Sequence, residues 1–208
     1  DHYSRMLPYL RPQTKTVWGL PGLWIPETVL PWGNAEDVAL RADAPHAACS
    51  HRWDPEKGPY GLFQYYNPYV TFLFTAGLEL CQYYLMHYRF TRDEAFLREQ
   101  AYPVLRGVCE FVSCLMRPGE DGRYHLDPAN ALETWWLVRD PADTLDGIRA
   151  IFPEFVRLAE SWATDEALRR KCAEILAHLP DPSTGKWRED GVCEPDVDAY
   201  APAAPGRI

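Results

Sequence analysis

From Tyr69 to Tyr88 the chain is apolar on nearly every helical face, with Val70, Phe72, Leu73, Phe74, Leu78, Leu80, Leu85 and Met86 leaving no polar stripe. A helix of that kind is buried on all sides, so an inner helix is expected. Asn67-Pro68 supplies its start, Asn as N-cap and Pro at the first helical position. Thr91-Arg-Asp-Glu94 reads as a capping box. It opens an amphipathic helix to about Met116, with Arg92, Asp93, Arg98, Glu99, Arg106 and Glu110 on the wet side and Pro103 as a kink or split. The two make an antiparallel hairpin, inner helix then outer helix.

The same pattern then recurs. Asp140-Pro141, with Asp143, begins a helix near Ala142–Ala163 whose apolar set is Leu145, Ile148, Ile151, Phe152, Phe155, Leu158, Ala159 and Trp162. Pro153 falls inside it and predicts a kink or break. Thr164-Asp-Glu166 caps a charged outer helix over Asp165–Leu179, which Pro180-Asp-Pro182 stops. No strand pattern carries conviction. The fold class is all-α, built of repeated antiparallel helical hairpins.

The flanks differ from this centre. Residues 1–67 hold eight of the nineteen prolines and four of the eight tryptophans. They read as ordered, aromatic loop, with short helices at most over Tyr3–Leu7 and Glu36–Arg41, because proline removes a donor and restricts its predecessor. From Ser183 onward Gly, Pro and Asp predict loop and tail. The 208 residues are expected to form one domain: a loop-rich segment 1–67, two hairpins over 68–179 joined by loop 117–141, and a tail 180–208.

Composition narrows the chemistry. Hydrophobic content of 47% predicts a folded chain, and a net charge of −9 argues against nucleic acid or an anionic membrane as partner. No apolar run reaches a membrane span, and Asp1–Arg5 has no signal-peptide character. Cys81, Cys109, Cys114 and Cys172 fall in helical patterns, where a free thiol behaves as a small apolar residue. His46-Ala-Ala-Cys49-Ser-His51 has donors near metal spacing but no second cluster to close a zinc site. No metal or cofactor is expected, and no phosphate loop, dinucleotide fingerprint or serine elbow is present.

The loop Gly119–Trp136 places Glu133 close to Trp135 and Trp136, with Asn130 upstream. A carboxyl beside flat aromatic faces suits a carbohydrate. Apolar walls favour its protonated form, which can donate to a glycosidic oxygen. The bland alternative is a structural glutamate paired with Arg139 or Arg149. Glu27, after the Gly/Pro-rich aromatic turn Trp18–Pro26, is the candidate second carboxylate, with Asp127, Asp196 and Asp198 behind it. Trp24, Gln64, Tyr66 and Asn67 are candidate sugar contacts, Asn67 also serving as N-cap.

Several short stretches resemble the six-hairpin glycosidases, nearest to the family-95 type, the α-L-fucosidases. Thr91–Leu105 with Glu110-Phe111 is similar to an outer helix of that family. Asp121-Gly-Arg-Tyr124 and Pro128-Ala-Asn-Ala-Leu-Glu133 resemble its acid-bearing loop, and Asp146, Ile148, Arg149 and Phe152 the helix after it. Leu179-Pro180 and Lys186-Trp-Arg-Glu-Asp190 resemble the turn beyond. The likeness spans roughly 61–191. Leu132 stands where the family has proline before its acid, and Gln64-Tyr-Tyr-Asn67 is all there is of its asparagine-rich strip.

The resemblance implies an (α/α)6 toroid, of which this chain supplies part, with the remainder coming from a longer chain or a partner. It implies glycoside hydrolysis of an oligosaccharide or glycoside, with Glu133 as general acid, and an exported or periplasmic setting. Two other classes stand beside it: a non-catalytic carbohydrate-binding or scaffold domain that retains the fold, and a lyase acting on acidic polysaccharide, which the negative charge disfavours.

Overall fold

The computed structural model describes residues 2–26, 72–131, 135–180, 186–187 and 193–194. Its first element, α1 (His2–Trp18), overturns the expectation of loop, since seventeen residues are helical with Pro8 and Pro12 inside. Met6, Leu10, Gln13, Thr14, Val17 and Trp18 recur at helical spacing and are buried, while both prolines face solvent. Burial of that stripe outweighs proline's cost, because helices in proteins draw most of their stability from packing.

The chain after α1 turns back on it. Thr14 Oγ1 donates to the Leu10 carbonyl and accepts from Trp24 N, both at 2.8 Å. Leu23 N donates to Gly107 O at 2.8 Å. Gly22, at φ 95°, lies so near that a Cβ would sit 2.4 Å from Phe111 N, so only glycine fits. The Trp18 ring meets Trp24, Phe72, Phe74 and Phe111 edgewise at centroid distances of 5.5–5.9 Å. Edge-to-face contact is the favoured geometry for such rings.

Helix α2 (Thr75–Thr91) begins later than the pattern predicts, with Leu73 and Phe74 outside it. Asn67-Pro68 lies outside the described residues. Nor is α2 covered on every side: Tyr83, Met86 and Phe90 are exposed, Phe90 by 84%. Leu78, Leu80, Cys81, Tyr84 and Leu85 are buried. Beyond that face, His87 meets the Phe96 ring and Arg89 pairs with Glu154.

The predicted capping box does not form. Asp93 caps α3 (Glu94–Phe96) by accepting from Phe96 N at 2.9 Å, Thr91 Oγ1 donates to the His87 carbonyl, and Glu94 accepts from the Tyr88 hydroxyl. A π-helical turn (Leu97–Ala101) then leads into α4 (Tyr102–Leu115), with Pro103 in its first turn. Helical backbone carries on through Pro103, and the register changes just ahead of it, where a regular turn would meet the ring.

Helix α5 (Ala142–Ser161) runs through Pro153 without a break, the proline being on the exposed side. Helix α6 (Glu166–Ala177) packs back on α5, and α5 packs in turn on α2, where Gly147 lets Leu78 approach. Three two-stranded antiparallel pieces, which the sequence pattern missed, complete the described chain. They are β1 (Arg117–Pro118) with β2 (Tyr124–His125), β3 (Ala129–Ala131) with β4 (Trp135–Val138), and β5 (Lys186–Trp187) with β6 (Cys193–Glu194). The fold is all-α. Cys81, Cys109 and Cys172 are buried free thiols, and Cys114 is half-buried.

Neither aspartate expected to begin a helix caps one. Asp165, at φ 51°, makes no side-chain cap to α6. Its carboxylate accepts from Arg106 Nε and from the Tyr102 hydroxyl, both at 2.8 Å, tying α4 to the α5–α6 turn. Burial would raise this carboxyl, but the Arg106 and Tyr102 hydrogen bonds outweigh it and hold it below its ordinary range. A lowered folded value means stability present above the unfolded value of 3.8 and lost as pH falls through the folded one. Asp165→Asn tolerates the left-handed backbone, removes the charge and exchanges one of the two acceptor oxygens for an amide NH2. Urea unfolding at neutral pH should show it about 2 kcal/mol less stable than the parent. The gap should close as pH falls below 3.8. A gap independent of pH refutes the ion-pair account.

Candidate functional site

The helical frame is interrupted between α4 and α5 by two successive hairpins. The β1–β2 turn is closed by Gly119 N donating to Arg123 O at 2.7 Å and by the Asp121 carboxylate, which accepts from Arg123 N at 3.0 Å. That amide, and then the contact with His125, hold the Asp121 carboxyl below its ordinary range. Strand β2 is fixed to α6: Tyr124 N donates to His178 O and the Tyr124 hydroxyl to Glu174, each at 2.9 Å.

The second hairpin runs from Leu126 to Asp140 and is pinned where it leaves and rejoins the frame. Asp140 N donates to Leu126 O at 2.8 Å, and Leu126 N donates to Asp140 Oδ1 at 2.8 Å. The other carboxylate oxygen of Asp140 lies 2.5 Å from His125 Nδ1. His125 Nε2 is 3.0 Å from Asp121 Oδ1. A Cβ at Gly119 would lie 2.7 Å from the His125 ring, so that position is held open for the imidazole. Asp140 has φ 53° and gives its side chain to this knot rather than to α5, whose N-cap is Pro141. Here sequence reasoning missed His125 altogether and gave Asp140 the wrong partner. The Asp–Pro pair that suggests a helix start does not reveal a contact fifteen residues back.

Between these ends, β3 and β4 pair with Ala129 opposite Val138 and Ala131 opposite Trp135. Leu126 and Ala129 lie in the core, and Asn130 is fully buried. Glu133 falls midway between β3 and β4 in the sequence, at 132–134, outside the described residues. Trp135 and Trp136 form the first half of β4. Glu27, Gln64, Tyr66 and Asn67 lie outside the described residues, as do His46, Cys49 and His51. Trp24 is in the core at 3% exposure, its ring against Trp18.

Asp127 stands at the base of the hairpin, joined to Pro128 by a cis peptide. Its side chain reaches solvent, yet partial burial, the largest influence, raises its carboxyl above the ordinary range. Arg139 opposes that rise, Asp140 adds to it, and His125 opposes it. Arg139 Nε is 3.5 Å from Asp140, and Arg149 binds Asp146 and the Pro180 carbonyl. A separate cleft of about 420 Å³ opens between α1, the turn after it and α4, lined by Arg11, Lys15, Leu20, Pro21 and Glu110. Among the described candidate residues, none lines it.

The described chain is all-α, its helical hairpins interrupted between α4 and α5 by a strand-paired excursion. Residues 56–192, more than half of the chain, match the glycosyl hydrolase family 95 catalytic domain, and the chain belongs to that family. The family's catalytic domain is an (α/α)6 barrel. The chain is also similar to alpha-L-fucosidase 2 of Arabidopsis thaliana, 29% identical over 131 residues. That alignment covers 55% of this chain and 16% of the relative, so the chain spans a small part of the relative's length. No described helix is long and apolar enough to cross a membrane.

The charge balance at the hairpin base is open to measurement. In a carbon-detected NMR titration, Asp127 should titrate above ordinary aspartates, and Arg139→Ala should raise it further by removing the opposing cation. An Asp127 that titrates with ordinary aspartates, or that ignores Arg139→Ala, contradicts this electrostatic picture.

Proposed function

We propose that this chain contributes to the active site of a glycoside hydrolase, with Glu133 as general acid. The observation that carries the reading is the match to the family 95 catalytic domain over 56–192, which encloses the whole 126–140 hairpin. In the protonated form Glu133 donates to the glycosidic oxygen as the bond from the anomeric carbon to that oxygen breaks. A carboxylate on the other side of the sugar ring completes the reaction, directly as nucleophile or by deprotonating water. Glu27 is the candidate for that role within this chain, and a carboxylate from the remainder of a longer barrel is the other source. Trp135 and Trp136 are the candidate apolar platforms for the sugar, and Gln64, Tyr66 and Asn67 are candidate polar contacts, whereas Asn130 is fully buried and so drops out of that set. The name of the Arabidopsis relative makes α-L-fucosides the first substrates to try.

A second reading is a carbohydrate-binding domain without turnover. Leu132, where the family places proline before its acid, favours it.

Glu133→Gln keeps the shape and removes the transferable proton. Its kcat on an aryl α-L-fucoside should fall about a thousandfold, with the helical circular dichroism unchanged. Undiminished turnover in that variant rules out the acid role. Sugar binding by tryptophan fluorescence without hydrolysis, indifferent to Glu133→Gln, selects the second reading.

A further inference from the structure

We propose that His125 is a positioning residue, an imidazole clamp that holds the 126–140 hairpin, and with it Glu133, against the helical frame. The proposal rests on Glu133 being the acid only as regards what is positioned; the clamp itself is a matter of hydrogen bonds.

Three observations converge on the ring. Nδ1 lies 2.5 Å from Asp140, the residue that also closes the hairpin base by exchanging bonds with Leu126. Nε2 lies 3.0 Å from Asp121, which organises the preceding turn. The absent side chain of Gly119 leaves room for the ring, where any Cβ would strike it. One imidazole thus joins the β1–β2 turn to Asp140, two residues ahead of α5.

The two arms are unequal. The His125 and Asp140 side chains are 11% and 14% exposed, whereas Asp121 is 51% exposed. An ionised carboxylate only accepts, so both contacts are hydrogen bonds together only when both ring nitrogens carry protons. With one proton, the buried Nδ1–Asp140 bond is the arm retained, since an unpaired buried carboxylate costs more than a wet one. Arg139 beside Asp140, Arg123 within electrostatic reach of Asp121 and Asp127 within reach of His125 are further charged groups around the clamp. The Tyr124 bonds to α6 hold the strand itself, so the clamp acts on the hairpin beyond it.

Amide hydrogen exchange on the full chain tests this without requiring turnover. His125→Phe keeps a flat ring and removes both donors. It should speed exchange of the 126–140 amides about tenfold while leaving the α4 and α5 interiors unchanged. His125→Asn places an amide N–H near the Nδ1 position and should restore the protection. Glu133→Gln should exchange like the parent, so failure of the acid assignment and failure of the clamp are separate results. In the unaltered protein, nitrogen-15 NMR of the ring should find a slowly exchanging proton on Nδ1, a measurement that stands even if His125→Phe does not fold. Unchanged hairpin exchange in His125→Phe, equal acceleration throughout the helices, or a proton-free Nδ1 overturns the proposal.

Discussion

A nearly buried carboxylate has to find donors, and that of Asp140 finds them on a segment the chain left earlier. Its two oxygens take the Leu126 amide and the His125 ring, and its own amide returns a bond to the Leu126 carbonyl. A long excursion from a helical scaffold is thereby closed at its base by groups that are already in the frame. The left-handed backbone at Asp140 is what turns the carboxylate away from α5. Loss of the cap is a small cost, typically about 1 kcal/mol. An unpaired buried carboxylate would cost more.

The frame to which that base is attached owes its rigidity to ordinary burial. Phe152, Phe155, Ile148 and Leu145 of α5 are essentially inaccessible, and so are Val104, Leu105 and Val108 of α4. Asp165 repeats the behaviour of Asp140 one connection later, at φ 51°, with Arg106 and Tyr102 as donors. In both cases an aspartate just before a helix stabilises a tertiary joint in place of the helix end. Rigid elements joined in this way suit a site that must hold a carboxyl against a substrate.

The repeated hairpins were legible in the sequence because their signal is periodic and local. The apolar spacing of Leu145, Ile148, Ile151, Phe152, Phe155 and Leu158 matches the buried face of α5. What was not legible depends on contacts distant in the chain. Helix α1 forms across two prolines because Met6, Leu10, Val17 and Trp18 gain a core that no local window shows. The strands are two to four residues long, too short for alternation to register. Thr91 to Glu94 has the residues of a capping box, but the Tyr88 hydroxyl claims Glu94 and Asp93 takes over the cap. Of the candidate site, the loop Gly119–Trp136 was singled out through Glu133 and its tryptophans, but the strand pairing within it was not. Nor was the His125–Asp140 contact, because Asp140-Pro141 reads as a helix start and the two residues meet only through the turn of the chain.

The central claim is that the hairpin between α4 and α5 presents Glu133 to a glycosidic bond. Its most direct test is a crystal structure of the protein with a non-hydrolysable glycoside bound. The Glu133 carboxyl should lie within about 2.6–3.2 Å of the atom in the glycosidic position. Across the ring, a second carboxyl should stand about 5–5.5 Å from it if the enzyme retains configuration, or about 6.5–9.5 Å if it inverts. A sugar bound with Glu133 turned away from that atom, or seated elsewhere on the chain, would contradict the account.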